Sequence, residues 1–306
     1  MVANTERLAA DLAGLVADGK VHHGTPLAPY TAFRVGGPAE LLATVTSAEA
    51  LAQAVVAARA HSVPCRVLGA GSNVLVSDAG LRGLVLLNRA RSTAFGPDHV
   101  RAESGTSFST LARHCISRGL AGLEWAVGIP GTVGGAVVGN AGAWGGDVAS
   151  VLVEARVLGA DGQVGVWPAR RFDFSYRSSA LKGAPGLQAV VLEAAFALAP
   201  GDRQALEARV AEIAARRKAS QPAGATCGSV FKNPPGDYAG RLVEAAGLKG
   251  VRRGGAMITT AHANFVVNQG GATAADVKAL IDLARGAVEE QFGISLELEI
   301  ELLGEW

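Results

Sequence analysis

The sequence has little cysteine: Cys65, Cys115 and Cys227 are the three among 306 residues, and they form no Cys-x-x-Cys pair. Such an odd and scattered set argues against a disulfide framework and against a zinc knuckle. Histidine is also sparse, and His262, beside a candidate functional segment, has no second histidine at metal-ligand spacing. No metal site is therefore predicted.

An excess of charge of either sign is absent too, with 28 basic against 27 acidic residues. A broad electrostatic surface for nucleic acid or membrane lipid is therefore not expected. No apolar run approaches the roughly 20 residues that span a bilayer, and the N-terminal segment lacks the basic-then-apolar pattern of a secretion signal. We expect a cytoplasmic, monomeric protein of two or three domains, with no membrane or nucleic-acid partner.

Glycine is what the sequence has in abundance, above all in the stretch Gly119–Gly146. Ten of its 28 residues are glycine, and Glu124 is the only charged one. Such density suits a backbone that turns through positive φ and approaches a flat or highly charged ligand, because successive N–H groups form concave anion sites. A flexible linker would be polar, whereas Trp125, Trp144 and other apolar residues interleave these glycines. We therefore predict a buried ligand-binding segment.

Strand and helix patterns alternate along the rest of the chain, which indicates an α/β or α+β protein. Leucines at helical spacing predict a helix over Thr5–Lys20, and Ser47 is a candidate N-cap for the next helix. Thr273-x-x-Asp276 resembles a capping box that opens another helix. In the tail, Leu296–Leu302 alternates aliphatic residues with glutamate and predicts a strand.

A second glycine-rich segment, Gly69–Asn73, follows a predicted apolar strand. It lacks the full Gly-x-Gly-x-x-Gly of a dinucleotide fingerprint, and no helix pattern follows it. A tight turn between strands is an equally good interpretation of this segment alone. Together with Gly119–Gly146 it suits a ligand that carries a pyrophosphate and a wide ring system.

Three polar segments could carry chemistry, and each also has a structural explanation. Arg177, among aromatic and hydroxyl residues, is either a surface arginine or a fork for a carboxylate or phosphate. Thr226–Pro234 is either an ordinary turn or an anion-binding turn that contains a proton donor. In the tail, Glu297, Glu299 and Glu301 share one strand face, which is typical of a solvated acidic surface.

Taken together, seven segments resemble the family of UDP-N-acetylenolpyruvoylglucosamine reductases, NADPH-dependent flavoenzymes that complete UDP-N-acetylmuramic acid for bacterial peptidoglycan. They occur in order between about Thr31 and Gly304, and as a set they are highly specific. The segments are FRVGGPA (Phe33–Ala39), GAGSNVL (Gly69–Leu75), GIPGTVGGAVVGNAGAWGG (Gly128–Gly146), YRSS (Tyr176–Ser179), GSVFKNP (Gly228–Pro234), AGRLVEAAGLKG (Ala239–Gly250) and HANFVVN (His262–Asn268).

The resemblance implies roles for individual residues. Arg177 matches the active-site arginine, Ser229 the proton donor and Glu299 the catalytic glutamate. Residues implied to bind noncovalent FAD are Arg34, Gly69, Ala70, Gly71, Ser72, Asn73, Gly128, Ile129, Pro130, Gly131, Gly134, Gly135, Gly139, Asn140, Ala141, Gly142 and Ala143. Residues implied to bind the nucleotide-sugar are Tyr176, Lys232, Asn233, Arg241 and Asn268.

For two of these assignments, neighbouring residues remain alternatives. The family's glutamate is commonly followed by a small apolar and a basic residue, whereas here Ile300 and acidic Glu301 follow, so Glu297 and Glu301 compete with Glu299. Cys227 competes with Ser229, because the two would share a face if the segment were extended but not if it turned.

The resemblance also implies the fold and the reaction. We expect an α+β protein with the FAD-binding fold of the p-cresol methylhydroxylase type and a separate C-terminal substrate-binding domain. Two FAD-binding subdomains are expected, over residues 1–66 and 67–200, and a substrate-binding domain is expected over residues 201–306. The tail 293–306 could pack with the first subdomain. The shorter subtype is expected, because there is little room for an insertion before GSVFKNP.

The implied function is the reduction of UDP-N-acetylglucosamine enolpyruvate by NADPH through FAD, in cell-wall biogenesis, with links to cell shape, the cell cycle and cell division. Two alternatives stay open at this point. One is an oxidase of the same fold that acts on a sugar or lactone, although no histidine in either glycine-rich segment suggests a histidyl-linked flavin. The other is a nucleotide-sugar sensor without activity.

Overall fold

The computed structural model describes residues 2–182 and 189–306 and contains both helices and sheets, as an α+β protein should. The α-helices in these ranges are α1 (Val2–Leu12), α2 (Ala48–Ala60), α3 (Phe108–Ser117), α4 (Val133–Val138), α5 (Arg203–Ser220), α6 (Ala239–Ala245) and α7 (Ala274–Phe292). The strands are β1 (His22–Pro26), β2 (Pro38–Val45), β3 (Cys65–Leu68), β4 (Val74–Val76), β5 (Leu81–Asn88), β6 (Thr93–Phe95), β7 (His99–Glu103), β8 (Leu120–Ala121), β9 (Gly142–Ala143), β10 (Gly146–Asp147), β11 (Leu152–Leu158), β12 (Val164–Pro168), β13 (Val190–Ala197), β14 (Ala199–Pro200), β15 (Arg252–Arg253), β16 (Ala256–Ile258), β17 (Val266–Asn268) and β18 (Glu301–Leu303).

Local sequence signals fix several helix ends. The Ser47 side chain accepts a hydrogen bond from the Ala50 N–H, which confirms the predicted N-cap of α2. Both bonds of the predicted capping box at Thr273 and Asp276 are present at the start of α7. The first helix is shorter than predicted: α1 ends at Leu12, and the backbone farther on turns through a positive φ of 59° at Asp18, which no α-helix allows.

The chain divides into two compact units. Of the described residues, unit 1 holds those within Met1–His23, Leu41–Gly69 and Gly83–Arg216, and unit 2 holds Gly24–Glu40, Ala70–Arg82 and Arg217–Trp306. The boundaries of these compact units differ from those of the domains expected at 1–66, 67–200 and 201–306, and the expected domains stay a prediction. Two N-terminal segments belong to unit 2 because they bond to its C-terminal part, as when Asn268 Nδ2 donates to the Phe33 carbonyl at 2.9 Å.

Unit 1 is built on antiparallel pairing and two apolar clusters. Its five-stranded sheet has the order β12-β11-β13-β7-β6. Most of the four-stranded sheet β1-β2-β5-β3, in which β3 runs parallel to β5, also belongs to unit 1. One cluster centres on Phe108, which contacts the rings of Trp125 and Phe196. The other joins leucines of α1 and α2 to those of the four-stranded sheet.

Unit 2 combines the three-stranded sheet β15-β16-β17 with α6 and α7 around one apolar cluster. Its tail differs from the sequence prediction: only Glu301–Leu303 forms a strand, and β18 pairs in parallel with β4. Residues 296–300 are instead held by separate backbone bonds, such as the one from the Glu299 N–H to the Val230 carbonyl at 2.8 Å. The predicted tail strand is therefore mostly irregular backbone, since its neighbours offer no continuous ladder of partners.

Candidate active site

The long glycine-rich stretch folds as a loop followed by a short helix. Gly128 and Gly131 have φ of 81° and 119°, values that side-chain-bearing residues rarely adopt. Thr132 then caps α4 with its side chain on the Gly135 N–H. Val133 and Val137 are buried in the main cluster of unit 1. The prediction of a buried segment rather than a flexible linker is thus confirmed.

The two glycine-rich segments meet at Gly69. A Cβ atom at this position would lie 2.5 Å from Thr132 Oγ1, closer than any side chain could be placed. The Gly69 carbonyl also accepts a hydrogen bond from Arg89 at 2.7 Å. Gly69 therefore permits a close approach between segments about sixty positions apart in the chain, which supports the interpretation that they serve one ligand.

The glycines of this stretch differ in how closely other atoms surround them. A Cβ at Gly134 would lie 2.9 Å from the Ser104 Cβ, and one at Gly142 would lie 2.9 Å from the Asp147 Cβ, so both glycines allow close packing inside the protein. Gly135 is different: it is exposed, and its nearest such neighbour is Thr132 Oγ1 at 3.7 Å. A side chain there would project into an open cradle along the backbone. This geometry fits the approach of a flat cofactor such as FAD.

The remaining predicted FAD residues of unit 2 lie around Gly71. A Cβ at Gly71 would lie 2.1 Å from the Tyr30 carbonyl oxygen, and the Gly71 carbonyl accepts from the Ala32 N–H at 3.0 Å. Arg34 belongs to the same loop, has a φ of 57° and donates to the Pro29 carbonyl at 3.3 Å. Close backbone packing accounts for the glycine at 71, and the FAD contacts of Arg34, Ala70 and Ser72 stay a prediction.

A cavity in unit 1 brings predicted cofactor and substrate residues together. Its volume is about 280 Å³. The lining residues are Asn140, Gly142, Ala143, Trp144, Gly145, Gly146, Asp147, Tyr176 and Arg177. Arg177 is half-buried rather than freely exposed, and its guanidinium lies 5.4 Å from the Tyr176 ring centre. This placement favours the anion-binding interpretation of Arg177 over that of a plain surface arginine.

A tight turn presents Tyr176 and Arg177 to the cavity. Ser175 and Ser178 exchange two backbone hydrogen bonds of 3.1 Å, which leaves the two residues at the tip, with Arg177 at a φ of 57°. Asn140 Nδ2 donates to the Ser175 carbonyl at 3.0 Å, and Ser179 Oγ donates to the Val138 carbonyl at 2.7 Å. The turn is therefore tied to α4 and to the residues that follow it.

Several residues of this site were not predicted from the sequence to bind cofactor or substrate. Trp144 and Asp147 line the cavity, and Ser179 anchors the turn. Trp144 has a φ of 54°, and its buried Nε1 has no hydrogen-bond partner among the residues that the structure describes. Asn140, predicted to bind FAD, also bonds inside the protein through both ends of its amide, since its Oδ1 accepts from the Ala149 N–H at 3.0 Å.

In unit 2, the backbone holds Ser229 and Glu299 on neighbouring segments. Ser229 forms an isolated bridge with Phe265, and the next residue, Val230, accepts from the Glu299 N–H at 2.8 Å. Glu299 is half-buried, whereas Glu297 and Glu301 are exposed. The position of Glu299 therefore agrees best with a carboxylate that acts in a sheltered site.

The geometry separates Ser229 from its rival Cys227. Gly228 between them has a φ of 81°, so the segment turns and the two side chains do not share a face. Cys227 is buried, and its Sγ donates to the Val74 carbonyl at 3.3 Å. Burial raises the pKa of the Cys227 thiol to about 12. Ser229 is the more accessible of the two.

The residues of unit 2 that are predicted to bind the nucleotide-sugar form ion pairs and hydrogen bonds within the protein. Lys232, with 23% of its side chain exposed, pairs with Glu297 at 3.0 Å. Arg241 pairs with Asp237, and the guanidinium holds the pKa of that carboxyl down at about 2. Asn233 Oδ1 caps the start of α6, accepting from the Ala239 N–H at 3.1 Å. The substrate contacts of these residues stay a prediction.

Within the described ranges, no group of three or more His, Cys, Asp and Glu side chains is arranged to hold a metal ion. None of the helices described for this chain is both long and apolar enough to cross a membrane.

Comparison with known proteins adds independent findings. Residues 220–303 match the model of the UDP-N-acetylenolpyruvoylglucosamine reductase C-terminal domain, and residues 39–166 match an FAD binding domain. The chain is 46% identical over 284 residues to UDP-N-acetylenolpyruvoylglucosamine reductase of Chloroflexus aggregans, covering 91% of this chain and 96% of that protein. It is 45% identical over 301 residues to UDP-N-acetylenolpyruvoylglucosamine reductase 2 of Symbiobacterium thermophilum, covering 97% of both.

A solved structure agrees with these sequence matches. The crystal structure of the reductase from Thermus caldophilus superposes with a TM-score of 0.80 at 37% identity, covering 93% of this chain and 99% of that one. The predicted FAD-binding fold with a separate C-terminal domain is thereby confirmed.

Proposed function

Because the chain belongs to the UDP-N-acetylenolpyruvoylglucosamine reductase family, we propose that it reduces UDP-N-acetylglucosamine enolpyruvate to UDP-N-acetylmuramate with NADPH, through noncovalent FAD. One observation carries the proposal for the site: Arg177 lines the same cavity as Asn140, Gly142 and Ala143 of the predicted FAD-binding stretch. A cationic fork beside the cofactor segment is what an anionic substrate of a flavoenzyme requires.

The residues present fit FAD. The open space beside Gly135 leaves room for a flat ring, the close approach at Gly69 brings the two glycine-rich segments together, and Gly128 and Gly131 turn the chain there. FAD, when bound and reduced by NADPH, supplies the hydride for the methylene carbon of the enolpyruvyl ether. The protein's part is to orient the substrate and to manage the charge that develops.

Negative charge then develops on the neighbouring carbon and its carboxylate. Arg177 is proposed to bind that carboxylate and to stabilise the charge as it forms, since a fixed cation in a sheltered site costs no reorganisation. The Ser229 hydroxyl is proposed to give its proton to the adjacent carbon and to regain one from solvent. Serine is a weak acid, but a carbon with enolate character is a strong base, so position matters more than acidity. Half-buried Glu299 is proposed to share a proton near the same carboxylate.

A two-step anaerobic experiment tests this function. Purified protein is expected to be yellow, to lose its flavin absorbance with NADPH, and to regain it when the enolpyruvyl nucleotide-sugar is added. Acid denaturation should release all of the yellow colour, because no covalent link is proposed. Flavin reduction by a sugar or lactone but not by NADPH would favour an oxidase of the same fold, and a protein whose flavin is reduced by none of these would favour a sensor.

Further parts of the proposal are the cytoplasmic location, the monomeric state, and the links to the cell cycle, cell shape and cell division. Gel filtration with light scattering tests the monomeric state.

A further inference from the structure

Asn264 is a buried residue whose side chain pairs with a main chain. It is 3% exposed. Its Oδ1 accepts from the Phe231 N–H at 2.9 Å, and its Nδ2 donates to the Phe231 carbonyl at 2.8 Å. A carboxamide carries one acceptor and one donor group, as a peptide unit does. The Asn264 side chain therefore makes the pair of hydrogen bonds to Phe231 that the backbone of a neighbouring strand would otherwise make.

This pairing lies two residues from the candidate proton donor Ser229. The Asn264 carbonyl also accepts from the Val230 N–H at 2.9 Å, so Asn264 makes three bonds to residues 230 and 231. Ser229 itself bridges to Phe265, the residue after Asn264. One edge of the Ser229 segment is thus fixed almost entirely by residues 264 and 265.

The opposite edge of the same segment faces the candidate glutamate. The Glu299 N–H donates to the Val230 carbonyl at 2.8 Å, and the Lys232 N–H donates to the Glu297 carbonyl at 2.9 Å. Because side chains alternate along an extended chain, a shift of one residue would turn Ser229 to the other face. The separate bonds along this edge would resist such a shift less than a continuous ladder does.

We propose that Asn264 is a positioning residue: its amide fixes the register of the Ser229 segment and so places the Ser229 hydroxyl for proton delivery. This inference rests on the proposed function. Asn264 is held in turn by its own N–H, which donates to His262 Nδ1 at 3.2 Å. An asparagine is needed because aspartate lacks the donor and leucine lacks both groups.

The test is a double-mutant cycle on flavin reoxidation by the enolpyruvyl nucleotide-sugar, followed in single turnovers. Asn264→Leu removes both bonds at nearly constant volume, and we expect reoxidation to slow about 10²-fold, as small misplacements of a reacting group can do. Reduction of the flavin by NADPH should stay within about twofold of normal. In the Ser229→Ala background, Asn264→Leu should cause no further loss, because it acts through Ser229.

Asn88→Leu is the matched control. Asn88 is a buried asparagine of unit 1, 3% exposed, whose Nδ2 donates to Ser104 Oγ at 2.8 Å and whose Oδ1 accepts from the Ala90 N–H at 3.0 Å, so its amide is paired outside the Ser229 segment. We expect this change to lower the melting temperature without slowing reoxidation selectively.

The outcomes of these experiments are distinct. If Asn264→Leu and Ser229→Ala multiply their effects, or if Asn88→Leu slows reoxidation equally, the proposal is overturned. Should Asn264→Leu fail to fold, Asn264→Asp keeps the acceptor for the Phe231 N–H and must show the same selective loss; flavin loss without that selectivity would make Asn264 a folding residue only. If the unchanged protein fails to reoxidise with the substrate, the proposed function itself is wrong.

Discussion

Asn73 Nδ2 donates a hydrogen bond to the carbonyl oxygen of Glu299 over 2.9 Å, although the two residues are 226 positions apart in the sequence. The bond is not alone, since the Asn73 carbonyl accepts from the Glu301 N–H at 2.9 Å. Asn73 ends the glycine-rich segment Gly69–Asn73, and Glu299 is the candidate glutamate. The segment predicted to bind FAD and the backbone that carries this glutamate are therefore one piece of structure in unit 2.

Gly135→Ala is expected to lower FAD occupancy without harming the fold. The new methyl group has room, with only Thr132 Oγ1 at 3.7 Å, and alanine favours helix over glycine by about 0.5–1 kcal/mol. It would occupy the backbone cradle where the cofactor is proposed to lie. The measurement is the ratio of flavin to protein absorbance, together with the melting temperature of the flavin-free protein.

Gly286→Ala is the control for this change. Gly286 is an exposed glycine inside α7, and a Cβ atom added there would have no neighbouring atom within 4 Å. Alanine should therefore stabilise the helix equally and leave flavin content unchanged. Full flavin content in Gly135→Ala would show that the cofactor does not contact this part of α4.

Arg177→Lys should slow flavin reoxidation by the substrate by about 10²–10³-fold, the usual cost of one lost charge-stabilising group. Lysine keeps the positive charge but loses the planar fork that grips a carboxylate through two bonds. Flavin content and reduction by NADPH should change little. Stopped-flow absorbance measures both half-reactions separately.

Arg171→Lys provides the comparison for Arg177. Arg171 lies over the Trp167 ring at 3.8 Å and is exposed, so it is a surface arginine of the same unit. Its replacement should leave both half-reactions intact. Equal kinetics for the two variants would return Arg177 to the status of a surface residue.

Ser229→Ala should slow reoxidation by roughly 10²–10⁴-fold, because a positioned acid contributes about that much to a rate. Ser229→Cys should recover much of the loss, since a thiol is a stronger acid of similar shape. Cys227→Ala should do little, given that the Cys227 thiol is buried against the Val74 carbonyl. A normal rate in Ser229→Ala with a collapse in Cys227→Ala would transfer the role to Cys227.

The three glutamates of the tail can be ranked by the same assay. Glu299→Gln should slow reoxidation about 10²-fold or more. Glu297→Gln breaks an ion pair with Lys232 in which the glutamate is 76% exposed, and exposed pairs contribute only about 0–1 kcal/mol. Glu301→Gln changes an exposed residue of β18. A larger loss in either of these two than in Glu299→Gln would reassign the catalytic glutamate.

The thiols give a prediction that depends on pH. Burial raises the pKa of Cys65, Cys115 and Cys227 to about 12 each, against an ordinary value of 9.0. Folding therefore keeps these groups protonated, so their contribution to stability is full below about pH 9 and is lost progressively as pH rises toward about 12. At pH 8 the buried Cys115 and Cys227 of the native protein should react negligibly with Ellman's reagent, so at most the half-buried Cys65 reacts, and all three thiols should react in guanidinium. Fast reaction of more than one thiol in the native protein would contradict the burial.

Local signals in the sequence predicted local structure well. The caps at Ser47 and Thr273 depend on neighbours within four residues, and both were identified correctly. The tail failed as a predicted strand because alternation describes only side-chain preference. Whether residues 296–300 form a strand depends on distant backbone partners, such as Val230, that no local pattern reveals.

Prediction of the candidate site from the sequence has the same limit. Sequence motifs pointed to Arg177, Ser229 and the two glycine-rich segments, but they could not tell Gly134 from Gly135. One packs against Ser104 and the other faces open space, and that difference arises only when the chain has folded.

The parallel pairing of β18 with β4 has a consequence for how the protein is made on the ribosome. The chain is synthesised at about 5–20 residues per second, so the 226 positions from Asn73 to Glu299 take roughly 10–45 s to translate. During that time the segment after Gly69 has been made but lacks the tail strand that later pairs with it. A nascent chain halted before Glu301 should therefore be unable to complete this predicted FAD-binding segment, and we expect loading with flavin to be a late event of biosynthesis.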